Sequence, residues 1–192
     1  PDQENQGFVS QAALGAGFKA VLFTDIRTAE DVDIAHRIIR SDTPEEKGFM
    51  GVKLRRPALS SYDTQAYLED LQSVVFCIML EKAVAVDDLD SILERAQAKG
   101  VDMTQWGPAD FSFSMGDPGL QRSPEIRVYE EKVIAKSLEY GIHPRIEIGA
   151  VEQAKRYMDL GVRHFCLGWD RFILRQQLSQ LGSDMRKLTD SL

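Results

Sequence analysis

A chain of 192 residues, 43% of them hydrophobic, holds one domain, or a large part of one, with a core of its own. Its net charge of −7, with lysines and arginines scattered rather than massed, leaves no basic stripe for nucleic acid and no charged arm. No apolar run reaches the ~20 residues of a membrane helix, and no signal-peptide pattern opens the chain. Cys77 and Cys166 lie in apolar runs without a Cys or His partner, which reads as two reduced core thiols of a cytoplasmic protein.

Helix and strand patterns alternate along the chain. Residues 7–16 read as a helix stopped by Gly17, and 20–23 as a short strand. A helix over 28–40 takes Thr28 as N-cap with Asp31 three residues on. Residues 42–62 are polar and rich in Gly, Pro and Ser, a long loop, with a short helix after it. A strand over 74–80, a helix over 86–99 closed by Gly100, and a strand over 101–106 follow, then a loop over 113–122. Ser123-Pro124-Glu125 opens a helix that runs to Tyr140. Strands over 145–148 and 164–167 flank a helix over 151–159, and an amphipathic helix over 171–187, carrying Phe172, Leu174, Leu178 and Leu181, closes the chain. Such alternation predicts βαβ units and a parallel sheet in a single domain over 1–192. Neither G-x-G-x-x-G nor a P-loop is present, which counts against a nucleotide-binding sheet. A complete TIM (β/α)8 barrel has eight strands and about 250 residues; five strands predict a barrel lacking its first three.

The 74–80 strand ends in Glu81. One βα unit later the 101–106 strand runs through Gly107-Pro108-Ala109 to Asp110. In β/α-repeat proteins the chemistry sits at the C-terminal ends of strands. Two carboxylates converging there, with water, are what a hard divalent cation such as Mg²⁺ asks of a protein. Small residues in the turn let a backbone N–H nest approach an anion.

The stretch Gly107-Pro108-Ala109-Asp110-Phe111-Ser112-Phe113-Ser114-Met115-Gly116 is similar to the GPADLSxSxG motif of the HpcH/HpaI aldolases, metal-dependent class II pyruvate aldolases of a (β/α)8-barrel superfamily. Met79-Leu80-Glu81 resembles the family's Q-I-E strand, Ala154 to Gly161 its A-K-R-Y-L-E-L-G helix, and Gly168-Trp169-Asp170 its G-V-D. The resemblance implies a carbon–carbon lyase that cleaves or forms 4-hydroxy-2-oxo acids through a pyruvate enolate. It implies a Mg, Mn or Co ion on Glu81 and Asp110, and backbone N–H groups of Ala109 and Asp110 as the substrate-binding contacts. It further implies a small 2-oxo acid as partner and a homo-oligomer, a hexamer being one form, with the last helix exchanged between subunits. A citrate-lyase-β-like acyl-CoA lyase and a non-catalytic metal- or ligand-binding barrel remnant are the alternatives.

Some features depart from the family. Its Gln on the metal strand is Met79 here, and its His base and substrate Arg are expected ahead of Pro1, so no catalytic residue is assigned within the chain. Lys82 is open to a Schiff-base role, but the ion-paired reading is favoured because a metal site already supplies the electron sink. His36, His143 and His164 fall at the wrong end or on a helix. Trp106 and Phe111 read first as wall packing and second as pocket lining. Gln105 and Glu147 are polar residues within strands; parity allows Glu147 to face inward near the site, and pairing in the barrel wall is the equal alternative. Arg55 and Arg56, in the long loop, are candidates to neutralise an acidic substrate.

Overall fold

The computed structural model describes residues 2–51 and 63–191. Arg55 and Arg56 lie outside them. Five parallel strands, β1 (Ala20–Phe23), β2 (Val75–Leu80), β3 (Met103–Trp106), β4 (His143–Ile148) and β5 (His164–Leu167), pair in chain order. Their helices are α1 (Gly7–Gly15), α2 (Ala29–Ile39), α3 (Thr64–Gln72), α4 (Ala83–Asp87), α5 (Leu89–Ala98), α6 (Pro108–Ser114), α7 (Ile126–Glu139), α8 (Ala154–Asp159) and α9 (Asp170–Thr189). A doubly wound sheet reverses its strand order at a switch point. Among the described residues no reversal occurs, and strands advancing by one neighbour at each crossover are the winding of a barrel. The fold is α/β, a five-stranded parallel half-barrel; among the described residues β1 and β5 each have one neighbour.

The pleat sorts the residues into two faces. Phe23, Phe76, Ile78, Leu80, Ile146 and Ile148 turn outward beneath the helices and are buried. Phe23 meets Phe76 edge to face at 5.8 Å. Ala35, Ile38 and Ile39 of α2 and Ile92, Leu93 and Ala96 of α5 cover them. Thr104 also turns outward, and its hydroxyl is satisfied by donating to Ser137 Oγ on α7 at 2.7 Å. The register Met79↔Gln105 and Glu147↔Cys166 places the inward residues side by side.

Local chemistry explains most boundaries. Thr28 and Asp31 form the reciprocal cap that starts α2. Gly100 and Gly141 adopt the left-handed conformation that ends α5 and α7, where a side chain would be strained. The helix expected over 86–99 is two helices broken at Asp88, where the backbone leaves helical geometry at φ −105°, ψ 34°. The Gly-Pro-Ala-Asp segment, expected as a turn, is the start of α6, because Pro108 at its first position presets a helical φ. The last helix is longer than 171–187 and has no buried residue; Phe172, Leu174, Leu178 and Leu181 are exposed. Among the described residues no helix is long and apolar enough to cross a membrane. Both cysteines are free thiols.

Candidate active site

A cavity of about 1390 Å³ opens at the C-terminal ends of the strands. Glu81 leaves β2 directly into it and is only 6% exposed. Glu81 Oε1 accepts the backbone N–H of Asp25 at 2.8 Å. Asp25 follows β1 and stands at φ 60°, a left-handed conformation that costs a non-glycine residue free energy and persists where the surroundings hold it. Arg27 grips its carboxylate with two bonds, Nε to Oδ2 at 3.2 Å and Nη2 to Oδ1 at 3.1 Å. Lys82 Nζ lies 3.1 Å from Asp25 Oδ1 and 3.2 Å from Asp110 Oδ1, so one ammonium bridges the β1 and α6 sides of the site. Burial pushes the Glu81 carboxyl up, against the pull of the Asp25 N–H, and the negative charge of Asp110 adds to the rise. For Lys82, burial pulls the ammonium down, but the bonds to Asp25 and Asp110 outweigh it and leave the pKa raised.

Gly107 sets the closeness of the two acids. A Cβ there would lie 2.6 Å from Glu81 Cβ and 2.7 Å from Glu81 Oε2, with Met79 Sδ at 3.3 Å, so only glycine lets the β3–α6 connection pass this near. Ala109 and Asp110, the second and third residues of α6, are exposed on the cavity rim. Their N–H groups precede the first intrahelical bond and are free by helix geometry. Asp110 is thus on a helix rather than at a strand end, yet the turn brings it to Glu81. The bond from Ala83 N to Ser114 Oγ, 2.9 Å, ties the far end of α6 to the start of α4.

Trp106 packs on Phe111 and Phe111 on Tyr129 as tilted ring pairs, both with centroids 4.8 Å apart, and the two former are buried. Phe111 is wall packing, whereas Trp106 packs in the wall and also lines the cavity. Gln105 and Glu147 turn inward and line the cavity. Gln105 is 4% exposed, and its Oε1 has no hydrogen-bond partner among the described residues. On another wall Glu130 accepts from Tyr157 Oη at 3.0 Å and pairs with Arg156 at 3.1 Å. His36 sits on α2, and His143 and His164 begin β4 and β5, remote from the strand ends that form the site. Sequence reasoning missed Asp25 and Arg27. The rule that found Glu81, an acid just beyond an apolar strand, applies equally to Asp25.

Among the described residues no group of three or more His, Cys, Asp or Glu is disposed to hold a metal. Two carboxylates beside open volume nonetheless fit Mg²⁺, which keeps several waters and takes one or two protein carboxylates. Buried Glu81 and rim-exposed Asp110, with glycine in place of any side chain beside Glu81 Oε2, fit such an ion.

Strands wound in one sense, with acids gathered at their C-terminal ends, define a β/α-barrel type of protein with its site in the usual place for that architecture. More narrowly, residues 2–176 match the family model HpcH/HpaI aldolase/citrate lyase, and the chain belongs to that family. It is 27% identical over 172 residues to the 4-hydroxy-2-oxo-heptane-1,7-dioate aldolase of Shigella flexneri, covering 88% of this chain and 62% of that protein. It is 23% identical over 184 residues to the 5-keto-4-deoxy-D-glucarate aldolase of Salmonella arizonae, covering 95% and 70%. The chain therefore spans somewhat less than two thirds of the first of these relatives. Among solved structures, a HpcH/HpaI aldolase/citrate lyase family protein from Burkholderia cenocepacia superposes with a TM-score of 0.77 at 26% identity, covering 94% of this chain and 70% of that one.

Proposed function

We propose that the protein is a divalent-cation-dependent aldolase acting on 4-hydroxy-2-oxo acids through a pyruvate enolate. The observation that carries this reading is buried Glu81 beside Asp110 across the Gly107 approach, on a cavity large enough for a small acid. In the cleavage direction the C3–C4 bond breaks. Its electrons pass to C3 and the keto oxygen, and the C4 hydroxyl gives up its proton as the aldehyde forms. A Mg²⁺, Mn²⁺ or Co²⁺ ion, when bound, supplies positive charge against the negative charge developing on the keto oxygen.

The chain's own residues do the rest. Glu81 and Asp110 would hold the ion, and the Asp25 N–H orients the Glu81 carboxylate by bonding its Oε1. The N–H groups of Ala109 and Asp110 donate to the carboxylate of the 2-oxo acid. A His base and a substrate Arg ahead of Pro1 belong to the same proposal, as do three further strands, a cytoplasmic location and a homo-oligomer. The exposed apolar residues of α9 support the oligomer.

Calorimetry with oxalate, an enolate mimic, tests the reading on the intact protein. Binding is expected with Mg²⁺ and is lost with EDTA. Tight binding after chelation, or a borohydride-trapped pyruvate adduct on Lys82, contradicts it.

A further inference from the structure

Among the described residues Lys82 is the one cation that touches a proposed ion ligand directly. Its Nζ stands 3.2 Å from Asp110 Oδ1 and 3.1 Å from Asp25 Oδ1, and its side chain is 14% exposed against 59% for Asp110. The two partners differ in freedom. Asp25 is held by Arg27 through two bonds, and its backbone is tied to Glu81. Asp110 rides on the exposed rim of α6, and its carboxylate can turn at little cost.

We propose that Lys82 is an internal competitor for the divalent cation, a positioning residue that draws on the same Asp110 oxygen and thereby sets how tightly the site takes its ion. This rests on the reading of Glu81 and Asp110 as ion ligands. An ammonium within hydrogen-bonding reach of Asp110 and a divalent ion on that carboxylate stand only a few ångströms apart. Their repulsion is strong wherever water is partly excluded. The ion must therefore draw Asp110 off Lys82. Asp25 makes this exchange feasible, because Lys82 keeps a fixed carboxylate when Asp110 turns away and no buried ammonium is left without a partner. An ordinary surface ion pair has neither feature: it is solvated on both sides, and its loss exposes nothing.

Free-Mn²⁺ titration followed by electron paramagnetic resonance, on the intact protein, reads the affinity without reference to turnover. Lys82→Met keeps the length of the side chain and removes its charge; it should bind Mn²⁺ about tenfold or more tightly than wild type. Lys82→Arg keeps the charge and should stay within about twofold of wild type. Lys82→Gln stands in should the Met variant not fold, as judged by circular dichroism. Equal or weaker Mn²⁺ binding in the charge-removing variant overturns the assignment, and so does an equal gain in Lys82→Arg, which would make shape rather than charge the cause. Glu81→Gln keeps the two failures apart. Unchanged Mn²⁺ affinity there overturns the site itself, whereas impaired binding there with no gain in Lys82→Met overturns only the role of Lys82.

Discussion

Along β2, Phe76, Ile78 and Leu80 face the helices and have no exposed surface, whereas Met79 faces the cavity and Glu81 continues on that side. The same contrast recurs on β4, where Ile146 and Ile148 are buried outward and Glu147 is exposed inward. One face is apolar except for Thr104, whose hydroxyl is bonded to Ser137, and is held from above by α2, α5 and α7. The other carries a thioether, an unpartnered amide, a guanidinium and carboxylates. Outer-face residues hold the fold through area removed from water. Inner-face residues are freed from that task, and one of them, Gln105, leaves a buried polar atom unsatisfied.

Four substitutions or titrations break or sharpen that contrast. Phe76→Ala on the outer face removes a ring packed against Phe23 and should cost about 3–5 kcal/mol in urea unfolding; a cost near zero would mean that the outer face is not the core. Cys77, inward but buried, is next. Burial pushes its thiol from the ordinary 9.0 to about 11, against the pull of Arg145. The fold thus keeps the thiol neutral: its contribution is intact below pH 9, and stability falls as pH rises from there through the folded value, by about 2–3 kcal/mol from this group. Cys77→Ala should show a correspondingly flatter alkaline limb, and an identical limb would contradict the shift. Gly107→Ala forces Glu81 and the β3–α6 connection apart, for about 1–3 kcal/mol of stability, with weakened Mn²⁺ binding. Unaltered binding would show that the close approach is not what assembles the site. Smallest is Gln105→Leu, which removes an unsatisfied oxygen and should leave stability unchanged or raise it by about 1 kcal/mol. A clear loss would place a partner on that amide.

The features legible in the sequence are those set by local pattern. Alternating strands and helices gave the parallel sheet, and the apolar run of β2 ending in Glu81 gave the first carboxylate of the site. Parity left Glu147 either inward near the site or paired in the barrel wall, and it lines the cavity. Asp110 reads from the sequence as a second strand-end acid, because Gly-Pro reads as a turn when Pro108 in fact starts a helix. The position of Asp25, just beyond β1, is legible by the same rule as Glu81, but its part in the site depends on a left-handed backbone and on a bond to Glu81, 56 residues away, which local spacing does not encode. The break at Asp88 was hidden by a helical pattern that continues across it. Lys82 was weighed as a nucleophile or an ion-paired lysine. The geometry is that of an ion pair, with two carboxylates rather than one.

The central claim, that Glu81 and Asp110 form a cation-dependent lyase site, is tested most directly by pyruvate release from a 4-hydroxy-2-oxo acid on the intact protein. The account predicts release that requires Mg²⁺, Mn²⁺ or Co²⁺, stops with EDTA, and falls by about a hundredfold or more in Glu81→Gln. Release at an equal rate after chelation and in Glu81→Gln would contradict it.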